Sequence, residues 1–335
     1  HFGSRSELQL SVPETERTLL MMRVRNQLLL GLLVAISAWR GGALRAREEA
    51  PVEDTPFKNV LLVVHCRHKD EAVCRQREPL FQSYWKFFPE VMYITHRTCR
   101  RSKTDSHRCL VEIMQRQAAH RDGIFYMHFD ALIRPRRLAV GFDKDAIGSF
   151  RTERWCGIDA EGGLVNCSWD HMTPQRAFAF QGVVRALRNE SADFRRLDDA
   201  HFYLGVDDLF YLPRSVFPLY ATVAKPFLDA GVHHEVTGPT VRHFLQLLTG
   251  TNIVSLGCSG SCCQTVEPKV VLDPGFSCGH PLRLAELGVS ELVPLAISMP
   301  RNVEGLPAER EREEREEESV LPLELQAQLI DEALA

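Results

Sequence analysis

The sequence lacks the short signatures of several large enzyme classes. It has no Gly-x-Gly-x-x-Gly fingerprint and no Gly-x-x-x-x-Gly-Lys-Ser/Thr loop, so dinucleotide-dependent oxidoreductases and P-loop nucleoside triphosphatases have no motif support. Residues 275–279 match the Gly-x-Ser-x-Gly pattern of hydrolases, but Asp273-Pro274 interrupts the strand pattern in front and no histidine follows His280. The chain order of nucleophile, acid and histidine in that family therefore cannot be completed.

Net charge is also low. The formal charge is -4 at pH 7 over 335 residues, so the molecule as a whole has no positive field that would attract a polyanion. The best basic cluster is in residues 96–108, which are interpreted either as a solvated loop or as a contact for a phosphate-bearing ligand. Because no Phe, Tyr or Trp is interleaved with that cluster, we expect no nucleic-acid partner.

No apolar run reaches the roughly 20 residues that a membrane-spanning helix needs. The run at residues 28–39 follows Arg23 and Arg25 and has the layout of a secretory signal, so we expect a signal anchor or signal peptide at 21–43 behind an upstream extension at 1–20. Positive charge before the run predicts a luminal domain at a Golgi or endoplasmic reticulum membrane, or secretion if the segment is cleaved. Residues 44–56 are charged and proline-punctuated, as in a stem.

Ten cysteines, an even number, are typical of a disulfide set in an oxidising compartment. Two of them, Cys156 and Cys167, flank one loop, and we expect a bridge there. Further bridges are expected among a second group: Cys258, Cys262, Cys263 and Cys278. Zinc is the rival interpretation of that group, although no second Cys or His pair follows at finger-like spacing. The tripeptides that begin at Asn166 and Asn189 match N-glycosylation acceptors and fit the same compartment.

The hydrophobic pattern predicts one α/β domain at residues 57–300, with a mixed, mostly parallel sheet covered by helices on both faces. Apolar, β-rich runs alternate with helical patterns, which is typical of such a sheet. Strands are predicted at 60–66, 91–96, 123–133, 200–212 and 252–256, and helices at 75–87, 109–119, 215–229 and 239–248. We expect residues 151–191 to form a loop-rich surface excursion. We expect residues 301–335 to be a charged tail with a C-terminal helix.

Several acidic residues occur where a parallel sheet usually binds its ligand. Asp130 ends the apolar run of the third strand, and ligands bind outside the carboxyl ends of parallel strands. A carboxylate there either holds a divalent cation or caps a turn before Pro135. Asp207, Asp208 and Glu235 lie at predicted strand or helix edges, and any of them would suit a general base.

Five segments resemble the eukaryotic glycosyltransferase-like proteins related to the plant STELLO proteins of the Golgi. In that group a strand ends in paired aspartates, a later strand reads polar-Asp-Ile-Phe-Tyr-Ile-Pro, and a His-Pro closes the domain. The matching positions here are 59–65, 123–133, 208–213, His234-Glu235 with Pro239-Thr240, and 278–281. Phe129 stands where the group has the first aspartate of the pair, which leaves Asp130 alone.

The resemblance implies a glycosyltransferase-A-like fold and transfer of a sugar from a nucleotide-sugar donor to a glycan or protein acceptor. Asp130 would bind the donor diphosphate through Mn²⁺ or Mg²⁺. The position of His280, in a turn after the last predicted strand, predicts that it either joins Asp130 as a second metal ligand or hydrogen-bonds a loop carbonyl. His65 and Arg67 would contact the nucleotide. Asp208 or Glu235 would face the acceptor as the catalytic base. The alternative is a luminal scaffold that keeps this fold without catalysis, which the Phe129 substitution favours.

Overall fold

The computed structural model describes residues 53–66, 71–95, 106–167, 172–261, 264–282 and 288–297. The predicted upstream extension, targeting segment and charged tail lie outside these residues, as do most of the predicted stem and Arg67. Among the residues described, no helix is long and apolar enough to cross a membrane. The predicted boundaries of the domain remain predictions.

A six-stranded sheet forms the centre of the fold, with the order β10-β5-β9-β3-β1-β2. Strand β1 pairs in parallel with β2 and β3, and β10 pairs in parallel with β5, whereas β9 is antiparallel to both of its neighbours. The predicted mixed, mostly parallel sheet is thereby confirmed. Its strands are β1 (Val60–His65), β2 (Glu90–Ile94), β3 (Gly123–His128), β5 (Ile147–Ser149), β9 (Leu209–Pro213) and β10 (Ile253–Ser255).

Helices cover both faces of this sheet. They are α1 (Glu71–Gln76), α2 (Glu78–Ser83), α3 (Ser106–Arg116), α4 (Pro135–Leu138), α5 (Pro174–Glu190), α6 (Phe217–Asp229), α7 (His234–Thr249), α8 (Pro268–Leu272) and α9 (Val289–Ile297). Every residue of β1 is buried, and its side chains alternate between two apolar cores. Leu61 and Val63 pack with α3, α5, α6 and α7, while Leu62 and Val64 pack with α1, α2, α8 and α9. Burial on both sides explains why the strand reads as a continuous apolar run.

Two small sheets flank the large one. The first has the order β7-β6-β8 and consists of β6 (Arg154–Ile158), β7 (Leu164–Val165) and β8 (His201–Leu204), all antiparallel. The second pairs β4 (Leu132–Ile133) with β11 (Cys278–Gly279). The predicted strand at 200–212 is therefore two strands in different sheets. Residues 151–191 contain two strands and the 17-residue helix α5, so the prediction of a loop-rich excursion was wrong.

Disulfides join three pairs of cysteines in the described part of the chain. Cys156 bridges Cys167, and Cys258 bridges Cys278, with Cα–Cα distances of 5.6 and 4.7 Å. Bridges were predicted in both of these regions. Because Cys258 is disulfide-bonded, it cannot be the zinc ligand of the rival interpretation. The third pair, Cys66 and Cys74, ties the end of β1 to α1. Cys262 and Cys263 lie outside the described residues.

Candidate active site

Three strand ends meet at one edge of the central sheet. Strands β1 and β3 finish there at His65 and His128, and the antiparallel strand β9 starts there directly after Asp208. The backbone joins the three, because the His128 amide donates to the Asp208 carbonyl at 2.7 Å and the Phe129 amide donates to the His65 carbonyl at 3.0 Å. This is the edge at which ligands bind in open α/β sheets.

His128, Asp130 and His280 form a compact cluster at this edge. The Oδ1 atom of Asp130 lies 2.5 Å from Nδ1 of His128 and 2.9 Å from Nε2 of His280. One ligand atom from each residue lies within 4.8 Å of the others. The structure thus brings Asp130 and His280 together although 150 positions separate them in the sequence.

The pairing of β4 with β11 brings His280 to Asp130. Strand β4 begins two residues after Asp130, and β11 ends at Gly279, so His280 emerges beside the aspartate. The Leu282 amide then donates to the Asp130 carbonyl at 3.0 Å. The backbone of Gly260 packs directly against that of His280. Gly260 adopts φ +101°, and a Cβ there would lie 2.0 Å from the His280 carbonyl oxygen, so a larger residue would displace this turn.

Phe129 stands where the resembling group has the first aspartate of its pair, but Asp130 is not alone in the structure, because His128 lies beside it. Residues 129 and 130 form a turn, in which the Ala131 amide donates to the His128 carbonyl at 3.0 Å, and this turn brings the Asp130 carboxylate next to the His128 ring. Phe129 points into the core that α1 and α2 cover, where Arg77 lies 5.0 Å above its ring and donates to its carbonyl. The cluster therefore has three candidate ligands, and His128 is the one that sequence reasoning missed.

The cluster keeps its carboxylate ionised. Burial by itself would raise the pKa of Asp130, but hydrogen bonds and charge from His128 and His280 hold that pKa well below its ordinary value. An ionised carboxylate with two imidazole nitrogens is a suitable ligand set for Mn²⁺. Mg²⁺ prefers oxygen ligands, so of the two predicted cations Mn²⁺ fits the residues better.

Asp208 and Glu235 flank the cluster. The Oδ2 atom of Asp208 lies 3.6 Å from Nδ1 of His280, on the opposite side of that ring from Asp130. Glu235 lies in the first turn of α7, at a helix edge as predicted, although this helix begins at His234 rather than at residue 239. Burial, together with the negative charges of Asp208 and Asp207, raises the pKa of Glu235 to about 7. A carboxylate poised near neutrality can hold or release a proton under working conditions.

His65 lies on the β1 side of the cluster. Its Nδ1 atom is 2.8 Å from the Tyr126 hydroxyl, and its ring centroid is 5.3 Å from that of His128. The predicted donor-binding position of His65 is therefore adjacent to the candidate metal ligands.

Asp207 does not face this edge, so it is not a candidate base. Its side chain is 1% exposed, contacts His107 and lies 2.6 Å from Arg242. Arg242 also binds Glu153, which makes a buried network of two carboxylates around one guanidinium. Burial would raise the pKa of Asp207, but the charges of His107 and Arg242 lower it below its ordinary value. The role of Asp207 is to anchor the chain next to Asp208.

Comparisons with known proteins give little beyond this geometry. No family model matches the sequence, and no curated protein does. Among solved structures, this chain is similar to a bacterial galactosyltransferase, LgtC, determined with donor and acceptor sugar analogues. The match covers 75% of this chain and 99% of LgtC. The sequence identity is 10% and the TM-score is 0.33, so this likeness does not by itself assign an activity. The resemblance to the STELLO-related proteins remains a prediction.

Proposed function

We propose that this chain is a metal-dependent glycosyltransferase of the secretory pathway, which transfers a sugar from a nucleotide-sugar donor to a glycan or protein acceptor. The observation that carries the proposal is the convergence of His128, Asp130 and His280 at the carboxyl edge of the sheet, with Asp208 and Glu235 beside them. A membrane anchor near residues 21–43 and a luminal orientation complete the proposal.

His128, Asp130 and His280 would hold the cation, and the cation would supply positive charge to the diphosphate of the leaving group. Asp208 acts on His280 rather than on substrate. A metal-binding histidine commonly directs its second ring nitrogen at a carboxylate, which sets the orientation of the ring. The 3.6 Å between Asp208 and Nδ1 of His280 suits that supporting role after a small shift. His65 would line the nucleotide side of the site.

Glu235 is the proposed base. In the transfer, the acceptor oxygen forms a bond to the anomeric carbon, and the bond from that carbon to the phosphate oxygen breaks with its electron pair leaving on the nucleoside diphosphate. The acceptor hydroxyl loses its proton to Glu235. A pKa near 7 leaves a substantial deprotonated fraction at neutral pH and still gives a usable base.

The interpretation as a non-catalytic scaffold was favoured by Phe129, and His128 weakens that argument. Phe129 suggested a broken metal site, but His128 fills the position that faces Asp130. The same set of two histidines and one carboxylate also occurs in non-haem iron enzymes, so the identity of the cation must be measured rather than assumed.

The test is calorimetry of the purified chain with Mn²⁺, Fe²⁺, Zn²⁺ and Mg²⁺, followed by a panel of nucleotide sugars with the cation that binds. We expect Mn²⁺-dependent donor binding and release of nucleoside diphosphate, both lost in Asp130→Ala. Asp145→Ala is the matched control, because Asp145 is an exposed carboxylate beside the opposite edge of the sheet. If the chain binds the donor equally well without the cation and in Asp130→Ala, the result favours the scaffold interpretation instead.

A further inference from the structure

The outer face of the small sheet β7-β6-β8 carries exposed aromatic rings. In the pairing of β6 with β8, Trp155 lies opposite Tyr203, and Gly157 lies opposite His201. The intervening residues Cys156 and Phe202 are fully buried in the core. Because side chains alternate across a strand, Trp155, Tyr203 and His201 point away from that core together.

The rings on this face are arranged as a continuous surface. Trp155 is 47% exposed, and the His201 ring meets it edge-on at 4.8 Å. Tyr203 stacks on His243 of α7, with ring centroids 3.4 Å apart and planes within 8°. Trp155, His201, Tyr203 and His243 are called the aromatic face below. An exposed tryptophan at the centre of such a surface is more informative than a scattered exposed aliphatic residue.

Polar groups frame the rings. The Nδ1 atom of His201 contacts the exposed carboxylate of Asp198, and Nε2 of His243 is held 2.9 Å from the buried carboxylate of Glu153. A face of this kind suits a sugar better than an apolar protein surface. A pyranose ring has one side of C–H groups that packs flat on an indole or phenol, while its hydroxyls reach imidazoles and carboxylates at the rim.

The aromatic face is continuous with the candidate active site. Strand β8 ends at Leu204, and the next residue, Gly205, donates its amide to the Glu235 carbonyl at 3.3 Å. Gly205 also packs against Glu153, whose side chain is 3.0 Å from where a Cβ would stand. Asp208 follows Tyr203 by five residues, so their Cα atoms are at most about 18 Å apart. The face therefore adjoins the site on the side of the proposed base.

We propose that the aromatic face binds the carbohydrate acceptor, with Trp155 stacking on a sugar ring one or more units away from the reacting hydroxyl. This inference rests on the proposed glycosyltransferase function and narrows its acceptor from glycan or protein to glycan. Binding there needs no cation, because the face shares no side chain with His128, Asp130 or His280.

The experiment probes the full chain on a printed array of defined oligosaccharides, with EDTA present, and then titrates the best-bound oligosaccharide in calorimetry. We expect Trp155→Ala to weaken binding about tenfold or more, and Trp155→Phe to retain most of it because a ring remains. The matched control is Phe178→Ala, which removes an equally exposed ring, 48% accessible, from helix α5. Circular dichroism of each variant verifies folding.

A measurement of donor binding with Mn²⁺ distinguishes a failure of the acceptor-site inference from a failure of the proposed function. If Trp155→Ala leaves oligosaccharide affinity unchanged while donor binding persists, the aromatic face is not the acceptor site and the proposed function stands. If the array retains nothing, or retention is equal in the Trp155 and Phe178 variants, the inference is wrong. If donor binding fails while Trp155-dependent oligosaccharide binding remains, the face binds carbohydrate and the transferase is refuted.

Discussion

Replacing Arg242 by Met is expected to destabilise the domain more than any other single change in the buried network. The Arg242 side chain is 1% exposed and lies between two carboxylates, Asp207 at 2.6 Å and Glu153 at 2.5 Å, which are 1% and 3% exposed. Its guanidinium also lies 5.0 Å over the Phe210 ring. Methionine fills a similar volume but leaves both carboxylates buried without their common cation.

The magnitude follows from the cost of an uncompensated buried charge. Removing one partner of a buried pair costs about 3–5 kcal/mol, which is at least about a fifth of the roughly 5–15 kcal/mol that stabilises a typical domain. With a urea m-value of about 2–3 kcal/mol/M, the unfolding midpoint should fall by about 1–2.5 M. Arg242→Lys should reduce the free energy of unfolding by less than Arg242→Met does, because an ammonium keeps the positive charge. It should still be less stable than the wild type, because it lacks the planar fork that reaches both carboxylates.

The pH dependence has a definite sign. In the wild type the pKa of Asp207 is lowered, so its stabilising contribution is present above the unfolded pKa and is lost as the pH falls. Without Arg242, Asp207 keeps His107 but loses one of the two positive partners that lower its pKa, so the variant retains less of this contribution at high pH. The deficit relative to wild type should therefore be larger at pH 7 than at pH 4.5.

Urea denaturation followed by circular dichroism at both pH values measures this deficit. Arg185→Met is the matched control, because Arg185 forms a 2.6 Å ion pair with Asp199 but its side chain is 62% exposed. That control should change the free energy of unfolding by no more than about 1 kcal/mol. A deficit at Arg242 that is as small as the control, or that grows on acidification, would refute the reasoning about the buried network.

Three further predictions concern the candidate site. His128→Asp should move cation preference from Mn²⁺ toward Mg²⁺ in calorimetry, since it replaces an imidazole by an oxygen ligand; an unchanged ratio of the two affinities argues against His128 as a ligand. The double variant Cys258→Ser with Cys278→Ser removes the disulfide whose second cysteine lies two residues before His280, so its Mn²⁺ affinity should fall several-fold at unchanged helix content. An affinity equal to that of the wild type would mean that the pairing of β4 with β11 is enough to position His280. The kcat/KM for transfer should rise with pH through about 7 as Glu235 loses its proton, and a rise that persists in Glu235→Gln would assign the base elsewhere.

Strand periodicity was enough to predict most of the central sheet. Strands β1, β2 and β10 lie within two residues of their predicted bounds, because strands buried on both faces appear as uninterrupted apolar runs. The same signal missed β5, and it failed at residues 123–133 and 200–212, where each apolar run spans two sheets. The break in the second run, at Gly205 to Asp208, follows from the burial of Asp207 against Arg242 and His107, which are distant in sequence.

Sequence alone determined that the chain has a mostly parallel α/β sheet and that Asp130 lies at the end of a buried strand, because both depend on local hydrophobic periodicity. The tertiary structure decided which side chains share the site. His128 lies next to Asp130 because the chain turns directly after β3, and His280 reaches them because β11 pairs with β4. Trp155 and Tyr203 become neighbours only through the register of β6 on β8. Pairings between distant segments depend on the packing of the whole chain, and no local pattern encodes them.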